Sequence, residues 1–167
     1  MLSPDECPLL SCGIFHEGPN LRSGTGSLAV GVNATRTGVS EMLLLDTDLC
    51  LALLRGDRGV LEHLPDGMEP VAICFASVGE LYAAAYTSSL AVNNTRLVHE
   101  FLLTVPVLES NNDIAARFGR LKSEDTTDKS DTILYIAAAA LSSNATLLSG
   151  RPEEYAGIDE LQLQVFR

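Results

Sequence analysis

Two aspartates follow three consecutive leucines in the first third of the sequence. Leu43, Leu44 and Leu45 are followed by Asp46 and, two residues further on, by Asp48. Burying an unpaired carboxylate is expensive, so acids that end a buried strand need a counter-charge. A divalent cation is one such charge, because Mg²⁺ and Mn²⁺ prefer hard oxygen ligands.

Three more acids are predicted to lie at the same edge of the sheet as this pair. Glu80 comes shortly after a second apolar run, Asp131 stands at the start of an apolar helix, and Glu154 follows the apolar run at 145–149. The carboxyl ends of parallel strands meet at one edge of an open sheet, so we expect these carboxylates to converge there. Converging like charges repel, which favours a bound cation.

Each acid also has a purely local explanation. Asp46, Asp48 or Asp131 could cap the N-terminus of the helix that follows it, and Glu154 could be an exposed loop acid. Ser77 is predicted as an N-cap, with Glu80 three residues later completing a capping box. These explanations stay open on the residues alone.

The elements that must position these acids alternate between short apolar runs and helical patterns. This order predicts an α/β fold, a three-layer sandwich with helices on both faces of a central parallel sheet. Pro106 predicts an edge or early position for the strand that contains it. The predicted strands are 42–46, 71–75, 105–109 and 145–149, with an alternating segment at 161–166; the predicted helices are 49–56, 58–64, 77–90, 93–105, 111–124 and 130–143.

Residues 1–41 lack such a pattern and hold six of the chain's thirteen glycines. We predict a flexible N-terminal extension at 1–41, followed by one domain at 42–167. Because Met42 opens the patterned part, the natural protein could also start there.

Composition limits the classes of function. The net charge of −11 argues against a broad basic surface, although a local basic groove is compatible with it. Cys50 and Cys74 lie in apolar runs without a CxxC pair, so they are predicted to be small core residues. No export signal is recognised, and the longest apolar run, 133–141, is too short to span a bilayer. A cytoplasmic protein without membrane contact is expected.

The order of the short motifs carries a family resemblance. From Met42 to Phe166 the chain resembles PIN-domain proteins of the VapC toxin type. Asp46-Thr47-Asp48 matches the first motif of that family, "SVGEL" with Glu80 matches the second, and Asp131 before "ILYIAAAAL" matches the third.

The fourth motif departs from the family pattern. Ser149 stands for the usual threonine, Gly150 and Arg151 stand where Asn or Asp is usual, and Glu154 with Tyr155 keeps the acid and the aromatic residue. The lead-in to the third acid is "EDTTDKSD", in which Asp128 could supply a substitute ligand.

The resemblance implies a magnesium- or manganese-dependent endoribonuclease that acts as the toxin of a toxin–antitoxin pair. Asp46, Glu80 and Asp131 would hold the metal, and Glu154 could be a ligand of a second ion, which makes these four residues the implied catalytic set. The implied partners are single-stranded RNA and a cognate antitoxin. The apolar helices at 77–90 and 94–104 further predict a homodimer or an antitoxin-bound complex.

Two other functions stay open. "LLLDTD" also resembles the start of a haloacid-dehalogenase-type phosphatase, although the downstream acidic pair of that family is missing. The changed fourth motif allows a PIN-fold module that binds RNA or protein without cutting.

Overall fold

Five short parallel strands form the centre of the molecule. The computed structural model describes residues 42–62, 64 and 70–166, and the predicted extension at 1–41 lies outside them. The strands are β1 Leu43–Leu45, β2 Val71–Cys74, β3 Val107–Leu108, β4 Thr146–Ser149 and β5 Leu163–Val165. They pair in the order β3-β2-β1-β4-β5, so β1 is central and β3 is an edge strand, as Pro106 predicts.

Helices connect the strands and cover both faces of the sheet. They are α1 Thr47–Leu54, α2 Gly59–Glu62, α3 Phe75–Thr87, α4 Ala91–Leu102, α5 Asn112–Glu124 and α6 Asp131–Ser142, with a 3₁₀ turn at Pro152–Tyr155. In the described part of the chain, no helix is long and apolar enough to cross a membrane.

Side chains of the central strands alternate between two apolar cores because successive residues of a strand point to opposite faces. Leu43 and Leu45 pack with residues of α1 to α4. Leu44 packs with residues of α5 and α6, among them the buried alanines 137–140. The predicted three-layer α/β sandwich with a parallel sheet is therefore confirmed.

Two finer predictions concern the burial of the cysteines and the residue at which α3 begins. Cys50 and Cys74 are buried free cysteines, as predicted. The predicted N-cap at Ser77 is wrong, because α3 follows directly on β2 and begins at Phe75. Ser77 lies inside the first turn of α3, fully buried, and the capping box with Glu80 is not formed.

Candidate functional site

Asp46 lies at the carboxyl end of the central strand and is completely buried, with 0% of its surface exposed. It is the N-cap of α1, since its Oδ1 accepts a hydrogen bond from the backbone N–H of Thr47 at 2.7 Å. Its Oδ2 accepts a hydrogen bond from the hydroxyl of Ser149 at 2.6 Å. The capping explanation for Asp46 is thus correct, and Ser149 in addition fixes the carboxylate from the neighbouring strand.

Hydroxyl groups connect the ends of three strands around this carboxylate. The hydroxyl of Thr47 donates to Ser77 Oγ at 3.0 Å, which ties α1 to α3. Ser149 Oγ accepts the backbone N–H of Arg151 at 3.0 Å while it donates to Asp46. Removing the donor of a buried acceptor costs about 1–3 kcal/mol, so this network holds Asp46 in one orientation.

Asp48 is partly buried on the other side of the β1–α1 junction. Its Oδ1 accepts the N–H of Leu49 at 2.8 Å, and its Oδ2 accepts the N–H of Gly150 at 3.1 Å. Burial and, to a smaller extent, the neighbouring Asp46 carboxylate raise the pKa of Asp48 above its ordinary value of 3.8. The two backbone hydrogen bonds and the nearby Arg151 oppose this rise.

Tyr155 adds a buried polar atom to the same region. Its side chain is buried, and its hydroxyl lies close to the Asp46 carboxylate. Burial and the nearby Asp46 carboxylate raise the pKa of Tyr155 strongly, so its hydroxyl stays protonated. The hydroxyl is therefore available as a donor on the Asp46 side of the site.

A cleft of about 490 Å³ opens at this edge of the sheet. Three of the four acids of the implied catalytic set, Asp46, Glu80 and Glu154, line it together. Two cations line it as well: Arg151, which the sequence places in the fourth motif, and Lys129, which the sequence does not assign to the site. The remaining residues that line it are Thr127, Ser130, Thr132, Ile133 and Glu153.

Asp131 does not line this cleft, because its carboxylate is directed towards α5. One helical turn further on, Tyr135 packs on Phe118 of α5 with ring centroids 5.5 Å apart. The Asp131 carboxylate accepts a hydrogen bond from Lys122 Nζ at 2.7 Å, and its side chain is 67% exposed. Ile133, two residues along α6, lines the cleft instead.

These positions bring Asp46 and Glu80 together at the cleft but leave Asp131, the third predicted metal ligand, outside it. Among the described residues, no three acidic, histidine or cysteine side chains are close enough to hold a metal ion. Asp128, the predicted substitute ligand, is exposed and does not line the cleft. The assignment of Asp131 as a ligand stays a prediction.

The loop before α6 brings Lys129 to the cleft, and Asp125 shapes that loop. Asp125 Oδ1 accepts the N–H and the hydroxyl of Thr127 at 3.1 and 2.7 Å, and its Oδ2 accepts the N–H of Lys129 at 2.7 Å. These hydrogen bonds, that from the Thr127 hydroxyl above all, hold the pKa of Asp125 below its ordinary value of 3.8. The sequence offers a signal for this turn in the acid followed by Thr-Thr-Asp.

Asp125→Asn should lower the melting temperature at neutral pH. A group whose pKa is lowered by folding stabilises the protein above its unfolded-state pKa, and this stabilisation is lost as the pH falls through the folded-state pKa. The difference between wild type and variant should therefore shrink as the pH falls below 3.8, which melting curves over that pH range would measure. Asp128→Asn, at an exposed position with a positive φ that asparagine adopts readily, is the matched control and should change little. A difference that is the same at every pH would mean that the charge of Asp125 is irrelevant.

Solved structures of toxin–antitoxin complexes share this fold. VapBC2 from Rickettsia felis bound to a DNA fragment from its promoter matches with a TM-score of 0.66 and 22% identity, over 75% of this chain and 99% of that chain. VapBC-1 from nontypeable Haemophilus influenzae matches with a TM-score of 0.61 and 27% identity, over 74% and 97%. DNA-bound VapBC from Salmonella typhimurium matches with a TM-score of 0.68 and 20% identity, over 74% and 97%.

These matches confirm the resemblance to VapC-type proteins that the sequence motifs indicate. The matched part of this chain is about as long as the segment from Met42 to Phe166. No protein-family model matches the sequence, and no curated protein sequence matches it significantly.

Proposed function

We propose that the chain is the toxin of a toxin–antitoxin pair and that it cleaves single-stranded RNA with the help of Mg²⁺ or Mn²⁺. One observation carries the proposal. The buried carboxylate of Asp46 is fixed by Thr47 and Ser149 in a cleft that it shares with Glu80 and Glu154, at the carboxyl edge of the sheet.

The oxygen donors in the cleft fit a divalent cation. Mg²⁺ is usually held by one or two carboxylates, with water and substrate phosphates completing its coordination, and Asp46 and Glu80 meet that requirement. The buried Tyr155 hydroxyl lies beside the Asp46 carboxylate and can donate to it. Asp131 would join such a set only by leaving Lys122.

The residues of the cleft divide the work of phosphodiester cleavage. A bound divalent ion would supply a water of lowered pKa and positive charge near the phosphate. Ser149 and the N–H of Thr47 hold Asp46 so that its carboxylate need not reorganise during the reaction. Arg151 is 47% exposed at the cleft and can contact a phosphate of the RNA backbone while it pairs with Glu154. Lys129 lines the same cleft but is largely buried beside Asp125, so it adds positive charge there in a chain of net charge −11.

The cognate partner would be an antitoxin, because the solved structures with this fold are toxin–antitoxin complexes. An acidic chain favours a partner with a basic segment. Large apolar side chains are exposed on α3 and α4, among them Tyr86 and Val92, and support a second copy or an antitoxin as the covering partner. Localisation in the cytoplasm is part of the same proposal.

Cleavage of single-stranded RNA by the purified full chain tests the proposed function. Cleavage should require added Mg²⁺ or Mn²⁺ and should stop when the ion is chelated. RNA that stays intact with either ion, under conditions in which the protein is folded, would contradict the proposal.

A second candidate is a PIN-fold module that binds RNA without cutting it. The cleft favours it in one respect, since Ile133 and two cations share the space with the acids. Metal-independent RNA binding without cleavage, retained after replacement of Asp46, would support this candidate.

A further inference from the structure

Arg151 is held between two carboxylates at the rim of the cleft. Its Nη1 donates to Glu154 Oε1 at 2.6 Å, and its Nε lies 3.7 Å from Asp48 Oδ2. The side chain is 47% exposed, whereas that of Asp48 is only 20% exposed. The guanidinium thus supplies a positive charge to both carboxylates.

Gly150 makes the position of Asp48 possible. A Cβ atom at residue 150 would come within 2.8 Å of Asp48 Oδ2, closer than real Cβ contacts allow. With glycine there, the Asp48 carboxylate reaches the backbone N–H of residue 150 and lies next to the guanidinium. The two departures from the fourth motif, Gly150 and Arg151, therefore act together on Asp48.

The acids of the site divide into two groups by their partners. On one side, Asp46 is fixed by neutral donors, and Glu80 lines the cleft with it. On the other side, Asp48 and Glu154 are both engaged by Arg151. A positive charge already occupies the second side, so a divalent ion there would be repelled and would find fewer free oxygen atoms.

We propose that Arg151 is a built-in cation that excludes a divalent ion from the Asp48–Glu154 side and leaves only the Asp46–Glu80 side open to one. Of the two parts of this inference, only the binding of an ion at Asp46 and Glu80 rests on the proposed function. The exclusion itself follows from the contacts of Arg151 and holds whether or not the protein cuts RNA.

Counting bound Mn²⁺ tests the exclusion without any assay of cleavage. The full chain and Arg151→Gln are titrated with Mn²⁺, and bound metal is measured by the loss of the free-ion signal in electron paramagnetic resonance. Arg151→Gln should bind one more Mn²⁺ per chain than the wild type. The half-exposed position of the side chain lets the variant fold, which circular dichroism checks.

Three matched variants make the result specific. Arg151→Lys keeps a positive charge and should bind as many ions as the wild type. Asp48→Asn combined with Arg151→Gln should lose the additional ion. Arg120→Gln removes an exposed arginine that pairs with Glu124 at 3.0 Å on α5 and should have no effect.

The outcomes separate the two proposals. Arg151→Gln that binds the same number of Mn²⁺ ions as the wild type would overturn the role of Arg151. A wild type that binds no Mn²⁺, together with a variant that binds one, would overturn the metal site at Asp46 but uphold the exclusion by Arg151.

Discussion

Asp46→Asn should reduce metal-dependent cleavage of single-stranded RNA by at least about 100-fold, because it removes the fixed negative charge at the centre of the cleft. The fold should survive the change. Asparagine Oδ1 can still accept the N–H of Thr47, and the hydroxyl of Ser149 can turn to accept from the new amide. The rate of cleavage with Mn²⁺ and the melting temperature, measured on the same preparation, separate loss of charge from loss of structure.

Asp113→Asn is a matched control for this variant. Asp113 is exposed in the first turn of α5 and does not line the cleft, so the control changes the net charge equally without touching the site. It should cleave like the wild type. Equal cleavage by wild type and Asp46→Asn would show that the buried carboxylate is only a helix cap and that cleavage does not depend on a metal held by it.

The architecture could be predicted because its signals are local in the sequence. β1, β2 and β4 are short apolar runs between helical patterns, and runs of this kind are typical of strands buried on both faces of a parallel sheet. The start of α3 could not be predicted in the same way, because the apolar residues of β2 continue into Phe75 without a break. The sequence pattern predicts a helix N-cap at a polar residue that ends such a run. Ser77 instead accepts a hydrogen bond from the Thr47 hydroxyl across the site.

The candidate site was predictable where a strand end, or the element directly after it, sets the position of the side chain, as for Asp46, Glu80 and Glu154. Asp46 directly follows the buried β1, so its place at the edge of the sheet follows from the order of the chain. The direction of Asp131 depends on the rotation of α6 about its axis, which is set by the packing of α6 on the sheet and on α5. The approach of Arg151 and Lys129 to the acids depends on loop conformations that have no periodic signal.

Moving the third carboxylate by two residues along α6 should strengthen metal binding. Successive residues of a helix are rotated by about 100°, so residues 131 and 133 point in different directions, and only Ile133 lines the cleft with Asp46 and Glu80. The double variant Asp131→Asn with Ile133→Asp keeps the net charge and places an acid in the cleft. Its affinity for Mn²⁺ should exceed that of the wild type by at least about tenfold, since even groups that only orient metal ligands change affinity by about 10- to 100-fold.

The metal-free double variant should melt below the wild type, because Ile133 is 9% exposed and an acid at that position is partly removed from water. Mn²⁺ should restore more stability to the double variant than to the wild type, because a ligand stabilises the state that binds it more tightly. Asp131→Asn alone separates the two possible ligands at this end of α6. It should leave Mn²⁺ affinity near that of the wild type if Asp131 stays with Lys122, and titrations of all three proteins would measure this. A loss of affinity in the single variant that Ile133→Asp does not restore would contradict the expectation and would identify Asp131 as the ligand, turned from Lys122 into the cleft when metal binds.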